Sequence, residues 1–288
     1  MKTNLLLTAA ASSFFILHSS FVQAGTTMDA TNRYAYAANL GWVDWVADTN
    51  NGAVIGEYVC SGYLYSANVG WINLGSGAPA NQIQYQNNSA TDFGVNQDGL
   101  GNLRGYAYGA NIGWINFENT GAPRVNLVNG QLSGYIWSAN CGWISLSNAV
   151  AYVQTDSIRK GALAPDGLPI AWLLQNFGTT NVDANADPDH DGQSNLQEYL
   201  AGTDPNNAAS VLKITYYTRN VISPNYTTLA WNSVNSRCYA VQTVPSLVGG
   251  SWTDDINLPI LGLSSVGFSD YDPTNEFYRI RAYRPLTP

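Results

Sequence analysis

The phrase GYLYSANVGWINLG, Gly62 to Gly75, recurs as GYAYGANIGWINFE from Gly105 and as GYIWSANCGWISLS from Gly134, with a rougher copy, RYAYAANLGWVDW, from Arg33. A stretch printed four times argues for one structural unit repeated. The Gly-Trp pairs fall at Gly41-Trp42, Gly70-Trp71, Gly113-Trp114 and Gly142-Trp143, at spacings of 29, 43 and 29 residues, which reads as a duplicated pair. Within a copy, Tyr63 and Tyr65 alternate with Leu64 at the period of a strand. Ser66-Ala67-Asn68-Val69-Gly70 interrupts it with residues that tolerate positive φ, and Trp71, Ile72, Asn73 and Leu74 resume it. Each copy is expected to form a β-hairpin with a five-residue turn. Further strands lead into turns at Asp98-Gly99 and Asn129-Gly130. Residues 25–156 therefore read as one all-β domain of roughly 10 to 12 short strands.

The repeated aromatics admit two readings. Tyr and Trp at period two commonly pack into a core and fix register. Exposed, the same rings would stack on sugars while Asn or Asp bond the hydroxyls. The alternating residues Leu64, Ala107 and Ile136 are apolar too, so both sheet faces are expected to be covered, with at least one aromatic set in the core.

From Ser157 the pattern changes. Asp166 reads as an N-cap with Pro169 in the first turn of a helix. Leu168, Trp172, Leu173 and Phe177 recur at helical spacing, and Gly178 ends the run. Leu196 to Ala201 reads as a second short helix stopped by Gly202. From Val211 the alternation of strands returns, with Leu212, Ile214 and Tyr216, then Leu229 and Trp231, then Tyr239 and Val241 each sharing a face. Tyr278, Ile280 and Ala282 oppose Arg279 and Arg281. Residues 211–288 are expected to form a small β-sandwich. The fold class is thus mainly β: a duplicated aromatic hairpin domain, a helical connector at 157–210 and a C-terminal sandwich.

One stretch carries specific chemistry. DPDHDGQSNLQE, Asp187 to Glu198, places Asp187, Asp189 and Asp191 at positions 1, 3 and 5 of a twelve-residue calcium loop and Gly192 at the sharp turn of position 6. Gln193 offers its main-chain carbonyl, Asn195 coordinates directly or through water, and Glu198 binds with both oxygens. Hard oxygen donors on a curled loop suit Ca²⁺, and three aspartates this close repel one another without a cation. Position 8 is Ser194, where paired loops of this kind carry an apolar residue. The earlier register from Asp183 fails because Pro188 sits where Gly is needed, so one competent loop is expected. His190 is expected to point outward.

With its flanks, LPIAWLLQNFG…NADPDHDGQSNLQEYLAGTDP, the loop resembles the bacterial thrombospondin type 3-like calcium repeat of exported Verrucomicrobia and Planctomycetes proteins. That resemblance covers residues 166 to 207 and implies a metal role for Asp187, Asp189, Asp191, Asn195 and Glu198 in a motif that joins modules. The segment from YTTLAWNSVNSRCYAVQ to FYRIRAY is similar to fibronectin type III-like modules that follow it in such proteins. The GYxYxANxGWI copies resemble repeats of bacterial surface proteins and bring no activity with them. Dockerins share the acidic loop but carry it twice.

Composition narrows the function. Lys2, an apolar run from Leu5 to Leu17 and a cleavage site at Val22-Gln23-Ala24 read as a signal peptide, residues 1–24, so the mature chain is expected to be secreted or at the cell surface. No later stretch has the ~20 apolar residues needed to span a bilayer as a helix. Loss of Lys2 leaves 11 basic against 20 acidic residues, a net charge of −9, which argues against nucleic acid. His18 leaves with the leader, so His190 alone remains, and histidine-based catalytic dyads and zinc sites lose their footing. Paired carboxylates are the one catalytic chemistry left, from Glu57, Glu118, Glu198 and Glu276, and they share no repeat position. Of Cys60, Cys141 and Cys238, the first two are the pair expected to bridge if any does. The expected function is a non-enzymatic, adhesive or structural modular protein with a calcium-stiffened connector and a polysaccharide or surface protein as partner. A lectin using the repeat aromatics is the alternative, with a glycoside hydrolase or dockerin-type scaffold component behind it.

Overall fold

The small residues of the repeated phrase decide its geometry. In the computed structural model, which describes residues 25–220, 226–254, 260–261, 266–270 and 277–286, each copy forms two antiparallel strands. The expected leader at 1–24 and Glu276 lie outside the described residues. β1 (Met28–Ala37) pairs β2 (Gly41–Asp44), and β3 (Ser61–Ser66) pairs β4 (Gly70–Ser76). After β5 (Val95–Gln97), β6 (Leu103–Gly109) pairs β7 (Gly113–Asn116). The short β8 (Arg124–Val125) and β9 (Leu132–Ser133) precede β10 (Tyr135–Ser138), which pairs β11 (Gly142–Ser145), and β12 (Val153–Thr155) follows. Pairing runs up to Ala37↔Gly41, Ser66↔Gly70, Gly109↔Gly113 and Ser138↔Gly142, so each loop has three residues where five were expected. The closing glycines sit at φ 75–80°, the left-handed position that such hairpins assign to glycine.

Strands β1, β2, β3, β4, β6, β7, β10 and β11 hydrogen-bond in that order, and β1 pairs β11 to close an eight-stranded antiparallel barrel. Closure is what the sequence reading did not contain. An eight-stranded barrel has an interior just wide enough for side chains to fill. Equivalent positions of the four copies fill it: Val43, Ile72, Ile115 and Ile144 in one set, and Trp45, Leu74, Phe117 and Leu146 in another. Leu40, Val69, Ile112 and Cys141 come from the hairpin loops and pack on the same core. Ala37, Ser66, Gly109 and Ser138 face inward where bulk would not fit.

Two helices follow. α1 (Ile170–Phe177) starts later than the sequence suggested: its N-cap is Pro169, and Asp166 accepts instead from the main-chain N–H of Leu168 at 3.3 Å. Gly178 ends it at φ 68° as expected. α2 (Asn195–Ala201) begins at a capping box, with Ser194 Oγ accepting from Gln197 N–H and the Gln197 side chain accepting from Ser194 N–H. That is the physical reason for Ser194 in the calcium-loop register. Leu168, Trp172, Leu173, Ala184 and Tyr199 form the small core between the helices.

The C-terminal strands fall into two sheets. β13 (Ile214–Asn220), β14 (Tyr226–Trp231) and a later strand, Val266–Asp270, make one. β15 (Cys238–Val244) is flanked by β16 (Thr253–Asp254), β17 (Ile260–Leu261) and the last strand, Phe277–Tyr283, in the other. In chain order these two remaining strands are β18 and β19. Leu229 and Trp231 of the first sheet cluster with Tyr239 and Val241 of the second. The chain end then returns to the barrel, where Ile158 N–H donates to the Leu286 carbonyl at 2.8 Å. Among the described residues no helix is long and apolar enough to cross a membrane.

Candidate functional site

Since strand side chains alternate, burying Leu64 sends Tyr63 and Tyr65 together to the other face. The alternating Tyr and Trp residues and the Trp of each Gly-Trp pair lie on the outside of the barrel, against the expectation that at least one such set would enter the core. Of the aromatics in the phrases only Trp45 and Phe117 are inside. Each Trp stands directly across from the second aromatic of its own copy: Tyr36↔Trp42, Tyr65↔Trp71, Tyr108↔Trp114 and Trp137↔Trp143. The three Tyr–Trp pairs have ring centroids 4.9 Å apart at 59–60°. Tyr34, Tyr63, Tyr106 and Tyr135 each meet the same Trp edge-on at 6.2–6.3 Å. The four Trp side chains are 46–49% exposed. The result is four ring clusters facing outward around the barrel.

A second function of the phrase went unread in the sequence. Asn68 Nδ2 donates to the Leu40 carbonyl at 2.9 Å, Asn111 to Val69 at 3.1 Å, Asn140 to Ile112 at 2.8 Å and Asn39 to Cys141 at 3.2 Å. Each loop is thus tied to the one before it, and the fourth bond closes a ring of hairpins at one end of the barrel. Asn at the middle of every loop was the visible signal.

Of the expected ligands, the acidic loop brings Asp187, Asp189 and Asp191 together. Asp187 Oδ2 accepts from Gly192 N–H at 3.0 Å, Asp189 Oδ1 from Asp191 N–H at 3.2 Å and Asp191 Oδ1 from Gln193 N–H at 2.7 Å. One oxygen of each carboxylate shapes the loop. The other oxygens, Asp187 Oδ1, Asp189 Oδ2 and Asp191 Oδ2, are buried without a hydrogen-bond partner, as are Asn195 Oδ1 and both oxygens of Glu198. The three aspartates lie with ligand oxygens within 4.8 Å of one another. Asn195 is held by Nδ2 donating to the Asp183 carbonyl at 2.8 Å, which leaves its oxygen free for a cation. Asn195 and Glu198 are both completely buried. Burial, then the charges of Asp189 and Asp191, push the Glu198 carboxyl up to about 7. Gln193 does something further: its side-chain amide donates to the Leu212 carbonyl at 2.9 Å, tying the loop to the start of the C-terminal region. His190 is exposed, in the left-handed region at φ 63°. The donor set is all oxygen, in keeping with a hard divalent cation.

Beside the loop, Tyr199 OH donates to Glu57 Oε2 at 2.9 Å, and Arg284 Nη2 pairs with the same oxygen at 2.7 Å. Arg237 donates to the Tyr199 and Leu200 carbonyls at 2.8 and 3.0 Å. Barrel, connector and C-terminal region meet in this buried cluster. Cys60, Cys141 and Cys238 are buried and free; burial pushes the Cys60 thiol up to about 12, so it is an inert apolar side chain. No family model matches the chain, and neither a curated protein nor a solved structure matches it.

Proposed function

We propose that this is a non-enzymatic, exported adhesive protein whose barrel binds neutral polysaccharide, held by a calcium-stiffened connector to a fibronectin type III-like sandwich. The observation that carries the reading is the four outward ring clusters, each centred on a Trp left half in water. Cross-strand ring pairs stabilise a hairpin by about 0.2–1 kcal/mol, and β-branched pairs offer comparable support. Stability alone therefore does not call for twelve rings facing solvent, whereas exposed aromatic surface marks a binding site. The barrel reverses a membrane barrel, which is apolar outside and polar within: its interior is apolar and its exterior mixes rings with Asn, Ser and Arg.

The duplicated hairpin supplies the architecture in this reading: one unit, copied twice over, closes a barrel and repeats its binding face. The thrombospondin type 3-like loop supplies the joint. Six buried oxygens without partners are the support for calcium, because an unpaired buried oxygen costs about 1–3 kcal/mol and a charged one more. The carboxylates are otherwise engaged, in keeping with a non-catalytic role: Glu57 in its ion pair, and Glu118 accepting from Gly105 N–H at 2.8 Å.

Cosedimentation of the mature chain with cellulose, xylan, mannan and chitin in calcium tests the reading. Saturable retention by at least one polymer is expected, with loss in a Trp71→Ala, Trp114→Ala variant that melts like the parent. Retention by none of them overturns the carbohydrate reading. Chelation that leaves melting and the protease resistance of residues 157–210 unchanged overturns the connector.

A further inference from the structure

The four ring clusters are not equivalent. The second repeat interval is 43 residues where the others are 29, and the extra chain folds into a loop beside the cluster of Trp114. Phe93 of that loop meets Trp114 edge-on at 5.1 Å and Tyr108 at 6.3 Å, adding a fourth ring that no other cluster has among the described residues. Asn87, Asn88 and Ser89 rise next to Tyr106 and Trp114 and wall a cleft of about 460 Å³.

The loop is fixed before any ligand arrives. Tyr85 is buried beneath it, donating from its hydroxyl to the Cys60 carbonyl at 3.1 Å. Asn96 holds both the N–H and the carbonyl of Tyr85 at 2.9 Å. Buried Asp92 accepts from the N–H groups of Ala80 and Gln86 at 3.2 Å, and Asn87 Oδ1 accepts from Gly94 N–H at 3.0 Å. Asn87 itself sits in the left-handed region at φ 55°. Asn88, by contrast, is exposed, and its amide has no hydrogen-bond partner among the described residues. A hydrogen-bonded wall that holds one free amide in the same cleft as Tyr106 and Trp114 is organised to receive something, and rigidity lowers the entropic cost of binding.

The cleft's chemistry selects the occupant. No Lys, Arg, Asp or Glu lines it, so it complements an uncharged ligand. Flat rings take an apolar face, and the Asn and Ser groups around them take hydroxyls. A pyranose ring of a neutral glycan presents both. We infer that the Trp114 cleft, walled by Asn88 and Phe93, is the selective subsite for a neutral oligosaccharide, with the other three clusters serving as open, weaker platforms. The inference rests on the carbohydrate reading above and adds the site that discriminates.

Calorimetric titration of the full mature chain with cellohexaose, xylohexaose, mannohexaose and maltohexaose tests it, with Trp42→Ala, Trp71→Ala, Trp114→Ala, Trp143→Ala and Asn88→Ala variants. The expected result is one dominant site for one of these sugars. Trp114→Ala and Asn88→Ala should weaken it about tenfold or more, the scale of a binding hot spot, and the other three Trp variants less than about twofold. Asn88 is exposed and outside the core, so its variant keeps the test intact if Trp114→Ala fails to fold. Equal losses at all four tryptophans, or loss at another cluster alone, overturn the inference and leave the carbohydrate reading standing. Wild-type protein that binds none of the four sugars overturns the inference; retention on the insoluble polymers then decides separately whether the broader reading survives.

Discussion

Glu198 is the residue on which the acidic loop turns. Its two oxygens are buried without partners, and burial with the charges of Asp189 and Asp191 holds its carboxyl at about 7, against 4.5 for an ordinary glutamate. A raised acid binds its proton more tightly in the folded than in the unfolded chain. Its stabilising contribution is therefore complete below pH 4.5 and is lost as pH rises through 7. Metal-free protein should melt at lower temperature at pH 8 than at pH 5.5, the segment 157–210 failing first. The proposed calcium site needs the ionised form, so affinity there should fall by about tenfold per pH unit below 7 for release of one proton. Melting curves and calcium titrations across this range check both trends. Glu198→Gln should flatten the pH dependence and abolish stabilisation by calcium; a variant still stabilised like the parent would remove Glu198 from the site.

At the scale of the element, the hairpins explain why the same phrase could be read so far and no further. The alternation, the positive-φ glycines and the Asn-Gly turn were visible in the chain, and so was the mainly β class. Direction was not. Tyr63 and Tyr65 alternate with Leu64, which is apolar too, and period two does not say which set faces in. Volume decides it: an eight-stranded barrel admits Leu64, Ala107, Ala35 and Ile136 but not paired rings. Closure was hidden for another reason, since the bond from Asn39 to Cys141 spans 102 residues and no local pattern records it. The cluster of Asp187, Asp189 and Asp191 was more legible because its three carboxylates lie within five residues of chain. The Asn ring gives a test at this scale. Asn68→Ala should cost about 0.5–1 kcal/mol in urea unfolding, the usual worth of one such bond. Asn68→Asp keeps the shape but cannot donate to the Leu40 carbonyl, so it should fare no better than Ala. An Asp variant as stable as the parent would mean that the loop conformation, not the bond between hairpins, is what the Asn serves.

For the whole molecule, the question is whether three regions of the chain behave as one body. Glu57 comes from the barrel, Tyr199 from α2, and Arg237 and Arg284 from the C-terminal region, and their polar groups meet out of water. Tyr199 directly follows Glu198, so a cation that orders Glu198 also fixes the helix turn that presents the Tyr199 hydroxyl to Glu57. Ordering of the acidic loop is in this way linked to the junction with the barrel. Burying this pair costs desolvation, so its net worth over an apolar substitute is small, yet breaking it leaves a guanidinium buried beside a second one. Glu57→Gln should therefore cost about 3 kcal/mol or more, well above what its single ion pair would be worth at the surface. The readout that separates coupling from plain destabilisation is cooperativity. With calcium present, the parent should melt in one transition seen alike by barrel tryptophan fluorescence and by proteolysis of the C-terminal region. In Glu57→Gln the two probes should part, the C-terminal region loosening first while the barrel, whose Asn ring and apolar layers are untouched, melts near its original temperature. A variant that melts lower but still in one coincident transition would show that the barrel and the C-terminal region are joined by more than this cluster, and that calcium's influence does not pass through Glu57.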